Sequence, residues 1–263
     1  MKKGHTSVEA ALARTYNTPS YDDPYDAVKD YRRVQQAAAK HPNKGSTALS
    51  SVVELPRSRI RSWVDSDGMP DAVRGIIDAR RQGWLELDTE MQTALAALAG
   101  HLLGGGSIEQ RNYVPSVAVG RRVTAEAIGA AFDAVGVRPA RRHNESSSRA
   151  TEVLPATHAS VLGRTLAAWG CPVGGRTTVE TLPAIVTEAG NAGTTAFLKA
   201  YVRHRAVEYP DKATSSLRGQ QPAAFHRTIA ELIEEVTGEH AHAGDNAVTV
   251  SAAAMQTLNL TET

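Results

Sequence analysis

The sequence predicts an α+β protein, in which an all-α N-terminal part precedes two tandem units of the order αββαββα. Three observations predict this fold class. Residues 24–86 read as amphipathic helices separated by short turns. From Asp88 onward, helical Ala/Leu-rich segments alternate with pairs of short strand-like segments. That order occurs twice at a spacing of about 100 residues, which indicates an internal duplication.

The duplication sets the predicted domain boundaries. We expect a flexible tail at 1–23, because this segment is polar and contains turn formers such as Asn17 and Pro19. A helical domain at 24–86 follows, and the two repeats then occupy 87–172 and 173–263. Equivalent positions in the two repeats are predicted to include Leu154 and Val250.

Composition is typical of a soluble globular protein, with 41% hydrophobic and 22% charged residues. The single cysteine, Cys171, cannot form an intramolecular disulfide, and no apolar run is long enough for a transmembrane helix. We therefore expect a cytoplasmic location. The net charge of +1 is too small to predict a nucleic-acid partner by itself.

Each predicted element has a pattern and a boundary residue. In the N-terminal part, helices are predicted at 25–41, 47–53, 57–64 and 71–82. In the first repeat we expect helices at 91–103, 124–135 and 157–169, with hairpins at 107–119 and 138–154. In the second repeat we expect helices at 193–204, 222–236 and 252–258, with hairpins at 206–217 and 240–250.

One segment in each repeat carries a motif. Residues 98–108 read Leu-Ala-Gly-His-Leu-Leu-Gly-Gly-Gly-Ser-Ile, and residues 198–206 read Leu-Lys-Ala-Tyr-Val-Arg-His-Arg-Ala. The first resembles the LAGLIDADG motif of homing endonucleases, and the second resembles a decayed copy. The resemblance covers roughly residues 88–260. It implies two helices packed side by side at a pseudo-twofold axis, beneath a saddle formed by two four-stranded sheets that binds double-stranded DNA.

The resemblance also implies that catalysis is lost. The family's essential acid is at the eighth motif position, where this chain has Gly105 and Arg205. Cleavage needs carboxylate oxygens that hold Mg²⁺ near the phosphates, and neither residue supplies them. We therefore expect no catalytic residue, metal or cofactor. The positive side chains of Arg203 and Arg205 are expected to neutralise DNA phosphates instead.

Further DNA contacts are expected from the strands of the saddle. Because side chains alternate along a strand, Glu109 and Arg111 should share a face, as should Arg141 and His143. Further candidates are Arg121, Lys212 and Arg218. The alternative for each of these residues is a solvated surface charge.

The N-terminal helices contain a second candidate. Residues 47–64 resemble a helix-turn-helix, with inward positions that include Val52, Leu55 and Ile60. The exposed start of the second helix, where such motifs contact bases and phosphates, carries Arg57, Ser58, Arg59, Arg61 and Ser62. Glu54 stands where many such motifs have glycine. The alternative is a three-helix packing unit with an arginine-rich surface.

These features together predict a sequence-specific DNA-binding protein, a transcriptional regulator associated with the nucleoid. Internal pseudo-symmetry favours a monomer, although a dimer is compatible with the sequence. One alternative is an active homing endonuclease that uses acids elsewhere, such as Glu109 or Glu208. The other is a module whose saddle binds a protein or a small ligand.

Overall fold

Helices fill the N-terminal part of the chain, and helices alternate with antiparallel strands in the rest. The structure, a computed structural model, describes residues 3–145, 148–209 and 211–260. The chain divides into two units, residues 1–81 and residues 82–263. The fold is therefore α+β, as predicted.

The first unit contains five described helices: α1 (Lys3–Arg14), α2 (Pro24–Lys40), α3 (Ser46–Val53), α4 (Arg57–Asp65) and α5 (Asp71–Arg81). The four predicted helices in this unit are confirmed to within one residue at each end. Asp23 caps α2 by accepting a hydrogen bond from the backbone N–H of Tyr25. Val34 of α2 packs with Leu49, Val53 and Ile60 of α3 and α4 in one apolar core.

The prediction of a flexible tail at 1–23 is wrong, because α1 lies within it. Leu12 and Ala13 of α1 are fully buried, and Glu9 is only 5% exposed. The Glu9 carboxylate accepts hydrogen bonds from Arg32 of α2 and Arg80 of α5, which join three helices. Pairing with these arginines allows an acid to be buried in a segment that looks merely polar.

The α3–α4 pair is held together at both ends. Asp65, the last residue of α4, accepts hydrogen bonds from the backbone N–H and the hydroxyl of Ser46 at the start of α3. Between the helices, Glu54 has left-handed backbone angles (φ 54°, ψ 40°). Val52 is 46% exposed and Val53 is buried, so the inward position predicted for Val52 is wrong.

The second unit begins with α6 (Thr89–Gly105), β1 (Gly106–Ile108), β2 (Pro115–Ala118), α7 (Ala125–Ala134), β3 (Pro139–Arg142), β4 (Glu152–Pro155) and α8 (Ala159–Ala168). It continues with α9 (Ala184–Thr187), α10 (Gly190–Arg205), β5 (Ala206–Glu208), β6 (Thr214–Arg218), α11 (Ala223–Thr237), β7 (Ala241–Ala243), β8 (Ala247–Ser251) and α12 (Ala252–Thr257). The repeated order αββαββα is confirmed. The short helix α9 was not predicted.

Each repeat forms one antiparallel four-stranded sheet. The spatial orders, β1-β2-β4-β3 and β5-β6-β8-β7, are equivalent in the two repeats. Pairing places Val153 and Val248 at equivalent positions, opposite Val117 and Leu217 respectively. The predicted equivalence of Leu154 with Val250 is therefore wrong, because the β3–β4 and β7–β8 loops differ in length.

The boundary predicted after Glu86 also needs correction. The indole N–H of Trp84 donates to the carbonyl oxygen of Val135, and the indole N–H of Trp169 donates to that of Trp84. Trp84 is fully buried by these contacts in the second unit. The division therefore falls after Arg81, because the tryptophan packs with the repeats rather than with the helix before it.

Candidate nucleic-acid interface

The centre of the second unit is the direct packing of α6 against α10. A methyl group at Gly100 would lie 2.4 Å from the carbonyl oxygen of Phe197 and 2.9 Å from the Cβ of Ala200. The small residues at the crossing are therefore needed for the close approach of the two backbones. Each helix leads directly into the first strand of its own sheet, at Gly106 and Ala206.

Two histidines occupy the ends of these helices. His101 Nδ1 and His204 Nε2 lie 3.0 Å apart, and the two rings meet edge to face. A Cβ at Gly105 would lie 2.3 Å from His204 Nδ1. The His204 ring therefore occupies the space where a side chain at position 105 would extend.

Both histidines are neutral at pH 7. Burial, followed by the positive charge of Arg203, lowers the pKa of His101 to about 4. Burial, followed by the charges of His101, Arg205 and Arg176, lowers the pKa of His204 to about 3. One ring of the pair donates its N–H and the other accepts.

Arg176 is brought to the same place by the segment between the repeats. One of its terminal nitrogens donates to the carbonyl oxygen of Gly106, at 2.5 Å. Burial and the nearby charge of Arg205 lower the pKa of the Arg176 guanidinium. Two cations therefore lie close together at the ends of the paired helices.

A cavity of about 660 Å³ opens beside these cations. The side chains and backbone that line it are those of Arg176, Thr177, Arg205, Ser216, Arg218, Gly219, Gln220, Gln221, Asn246 and Ala247. Its lining is thus polar and positively charged. Within the described residues, no group of three His, Cys, Asp or Glu side chains is placed to hold a metal ion.

In the first sheet, the strand that was to place Arg141 and His143 on one face ends between them, at Arg142. Arg141 is opposite the buried Val153, and its guanidinium donates to Glu126 of α7 at 2.7 Å, so it lies on the helix-facing side. His143 follows the end of β3 with φ 61°, where strand alternation no longer applies. Arg142 lies on the opposite side instead, within 2.8 Å of Glu152.

Glu109 and Arg111 do not lie on a strand. Strand β1 ends at Ile108, and a tight loop follows in which the N–H of Tyr113 donates to the carbonyl oxygen of Glu109. Both residues are exposed, as is Arg121 beyond β2. Period-two alternation therefore fails for this pair because the strand is shorter than predicted.

The second repeat places its predicted cations in two different surroundings. Lys212 and Arg218 both lie over the ring of Tyr209, at 5.2 and 5.8 Å from its centroid. Arg218 and Arg205 also line the 660 Å³ cavity. Arg203 is exposed and instead lines a smaller recess that includes Arg122.

In the first unit, the predicted recognition residues lie on the second helix of the pair. Arg57, Ser58, Arg61 and Ser62 are exposed. Arg59 is only partly exposed, because its guanidinium stacks over the ring of Tyr21 at 4.6 Å from the centroid. Arg57 and Arg61 are thus the freer cations of this surface, whereas Arg59 is held against its own unit.

Sequence reasoning missed several residues of the site, namely His101, His204, Arg142, Arg176 and Gln221. The histidines had a usable signal, because each interrupts an otherwise apolar or small-residue motif at the helix end. Arg176 had none, because it lies in an irregular segment without periodicity.

No family model matches the chain, and no curated protein matches it significantly. The geometry of the site therefore carries the functional argument. Among the described residues, no helix has the length and apolar character needed to span a membrane.

Proposed function

We propose that this protein binds double-stranded DNA in a sequence-specific manner without cleaving it, and that it acts as a transcriptional regulator. Residues 82–263 would be a LAGLIDADG-like saddle, and α3–α4 would be a helix-turn-helix. The observation that carries the proposal is that α6 and α10 end at the same level. These helices finish side by side, and the family's acid positions there hold Gly105 and Arg205.

The surroundings of Gly105 support binding without cleavage. The neutral His204 ring fills the adjacent space, and the cations of Arg176 and Arg205 lie nearby. A divalent cation would be repelled by these charges, whereas a DNA phosphate would be attracted. The scaffold would thus keep its affinity for the DNA backbone after losing the metal ligands.

The acids proposed for a relocated active site have other surroundings. Glu208 forms an ion pair with Arg122 at 2.5 Å, which lowers the pKa of its carboxyl. Glu109 lies in the exposed loop between β1 and β2. Neither carboxylate is at the end of α6 or α10, so the geometry favours a binding protein over an endonuclease.

The α3–α4 pair supports sequence-specific recognition. Arg57 and Arg61 project from the exposed part of α4, where a recognition helix would reach base edges and phosphates. The pair is braced by the bonds from Ser46 to Asp65, which fix one helix relative to the other. We propose that this unit and the saddle bind one DNA molecule, so that each raises the effective concentration of the other.

The proposed function also implies a monomeric state and a place of action. Because the two repeats supply both halves of the interface, one copy of the chain would bind an asymmetric site as a monomer. Its place of action would be the nucleoid, in the cytoplasm.

Selection from a random pool of duplexes, followed by gel retardation, tests the proposal. The selected duplex should be retarded by the native protein. Reversing Arg57, Arg59 and Arg61 to Glu should weaken specific retardation at least about 100-fold, since each guanine contact contributes roughly 1–3 kcal/mol of discrimination.

The matched control reverses three exposed cations of the same unit outside α4, namely Lys40, Arg74 and Arg81. This control has the same net charge and should lose much less specific affinity. Equal losses in the two triple variants would contradict recognition by α4, and leave only a general electrostatic attraction.

A further inference from the structure

The cavity beside α10 is lined by several positively charged side chains. Three guanidinium groups line it, those of Arg176, Arg205 and Arg218. None of the described residues that line it is acidic. Arg176 and Arg205 are partly buried and repel each other, which lowers the pKa of Arg176 after the effect of burial itself. Such a cluster is stabilised when an anion enters it.

The first repeat carries an acid at the equivalent position. Strand pairing makes Ala118 opposite Glu152 equivalent to Arg218 opposite Ala247. In the first repeat, Glu152 neutralises Arg142 through a hydrogen-bonded ion pair. In the second repeat alanine stands at the position of this acid, and Arg218 lines the cavity. The two repeats therefore differ in charge at this position.

Unpartnered polar atoms point into the same region. Gln221 is 4% exposed, and both its amide oxygen and nitrogen lack hydrogen-bond partners among the described residues. The buried Nε of Arg205 also lacks a partner there. Gly219 leaves room for the amide, since a Cβ would lie 2.2 Å from Gln221 Oε1. Buried amides and guanidinium nitrogens without partners are costly, so a ligand that bonds to them is favoured.

We propose that this cavity is a phosphate-binding site. Arg176, Arg205 and Arg218 hold the phosphate oxygens, and the Gln221 amide donates a further hydrogen bond. A guanidinium group can donate two parallel hydrogen bonds to a phosphate. The hydroxyl and amide groups of the remaining lining can form hydrogen bonds with the rest of a phosphorylated molecule. The volume of about 660 Å³ exceeds a single phosphate and fits a small phosphorylated molecule. This proposed phosphate site does not depend on the proposal that the chain binds DNA.

The test measures phosphate binding by the full chain with two probes. Isothermal titration with inorganic pyrophosphate reports a small-molecule source of the phosphate, and titration with a short duplex reports a nucleic-acid backbone. We expect saturable binding that weakens roughly tenfold or more in Arg218→Ala, because a charged hydrogen bond is lost. Arg227→Ala, an exposed arginine of α11 outside the cavity, is the control.

A second variant introduces the acid of the first repeat. Ala247→Glu places a carboxylate beside Arg218, as Glu152 does beside Arg142, and should abolish binding while the fold is retained. Ala130→Glu, which adds the same charge at an exposed alanine of α7 in the first repeat, is its control. If Ala247→Glu and Arg218→Ala lose pyrophosphate binding relative to the controls, the site is supported and its ligand is a small phosphorylated molecule. If they lose duplex binding alone, the site is supported and its ligand is the nucleic-acid backbone. Equal binding of both probes by the variants and their controls overturns it.

Discussion

At the residue scale, the residues that decide the packing of the site lie where the two long helices end. Gly105 has no side chain, and His204 occupies the space that one would fill. His101 completes a neutral hydrogen-bonded pair with His204. This pair is packed between the two helices, and protonation of either histidine should oppose folding.

Acid should destabilise the protein through this pair. Both histidines have pKa values lowered from 6.5, to about 4 and about 3, so the unfolded chain binds more protons below pH 6.5. The contribution of the two neutral histidines to the free energy of unfolding is therefore fully present above pH 6.5, and it is lost as the pH falls towards 4. Between pH 7.5 and 5 the loss should be about 2 kcal/mol per histidine, measured by urea unfolding.

Replacing both histidines by asparagine should flatten this pH dependence, because asparagine keeps hydrogen-bonding groups that do not titrate. His242→Asn is the control, because that side chain is exposed on β7. A slope that stays the same in the double variant would show that other groups cause the loss.

Glu54 should be an unfavourable residue at its turn. Its left-handed backbone angles cost residues with a Cβ roughly 1–2 kcal/mol, a cost that glycine avoids. Glu54→Gly should therefore be more stable than Glu54→Ala by about 1 kcal/mol, which the urea midpoint measures. The alanine variant removes the same carboxylate, so a difference near zero would contradict the backbone argument.

At the element scale, the close approach of α6 and α10 should be sensitive to one methyl group. Gly100→Ala should destabilise the protein by about 1–3 kcal/mol, because the new Cβ would overlap the carbonyl oxygen of Phe197. Gly120→Ala is the matched control, since nothing lies within 4 Å of a Cβ there. Comparable thermal unfolding of the two variants would contradict tight packing of the helix pair.

Most elements could be predicted because their patterns are local. The helix at 71–81 follows from its periodic apolar residues, and the hairpins follow from paired short strands between turn formers. The first helix, α1, was missed because its stability comes from distant partners, notably the bonds from Glu9 to Arg32 and Arg80. The pattern of residues within one segment does not show which distant residues that segment will contact.

The faces of the strands were harder to predict than the strands themselves. Arg141 was assigned to the wrong face because a single-residue difference in register reverses every side chain. Its neighbour Arg142 lies on the face away from α7 and pairs with Glu152 of the next strand. Contacts between segments, rather than composition, decided these positions.

At the scale of the whole molecule, the net charge is small although positive side chains are clustered at particular places. The net charge of +1 conceals the guanidinium groups on α4 and the three around the cavity beside α10. Arg176 reaches that cavity only through the path of the segment between the repeats. This part of the site could not be predicted because it depends on the folding of both repeats into one unit.

The central claim is that the protein binds a duplex and leaves it intact. The most direct measurement incubates the native protein with its selected duplex at low salt, with and without Mg²⁺. Retardation is then read on a native gel, and strand length on a denaturing gel. We predict retardation with full-length strands under both conditions. Shortened strands in Mg²⁺, or no retardation at any protein concentration, would contradict the account.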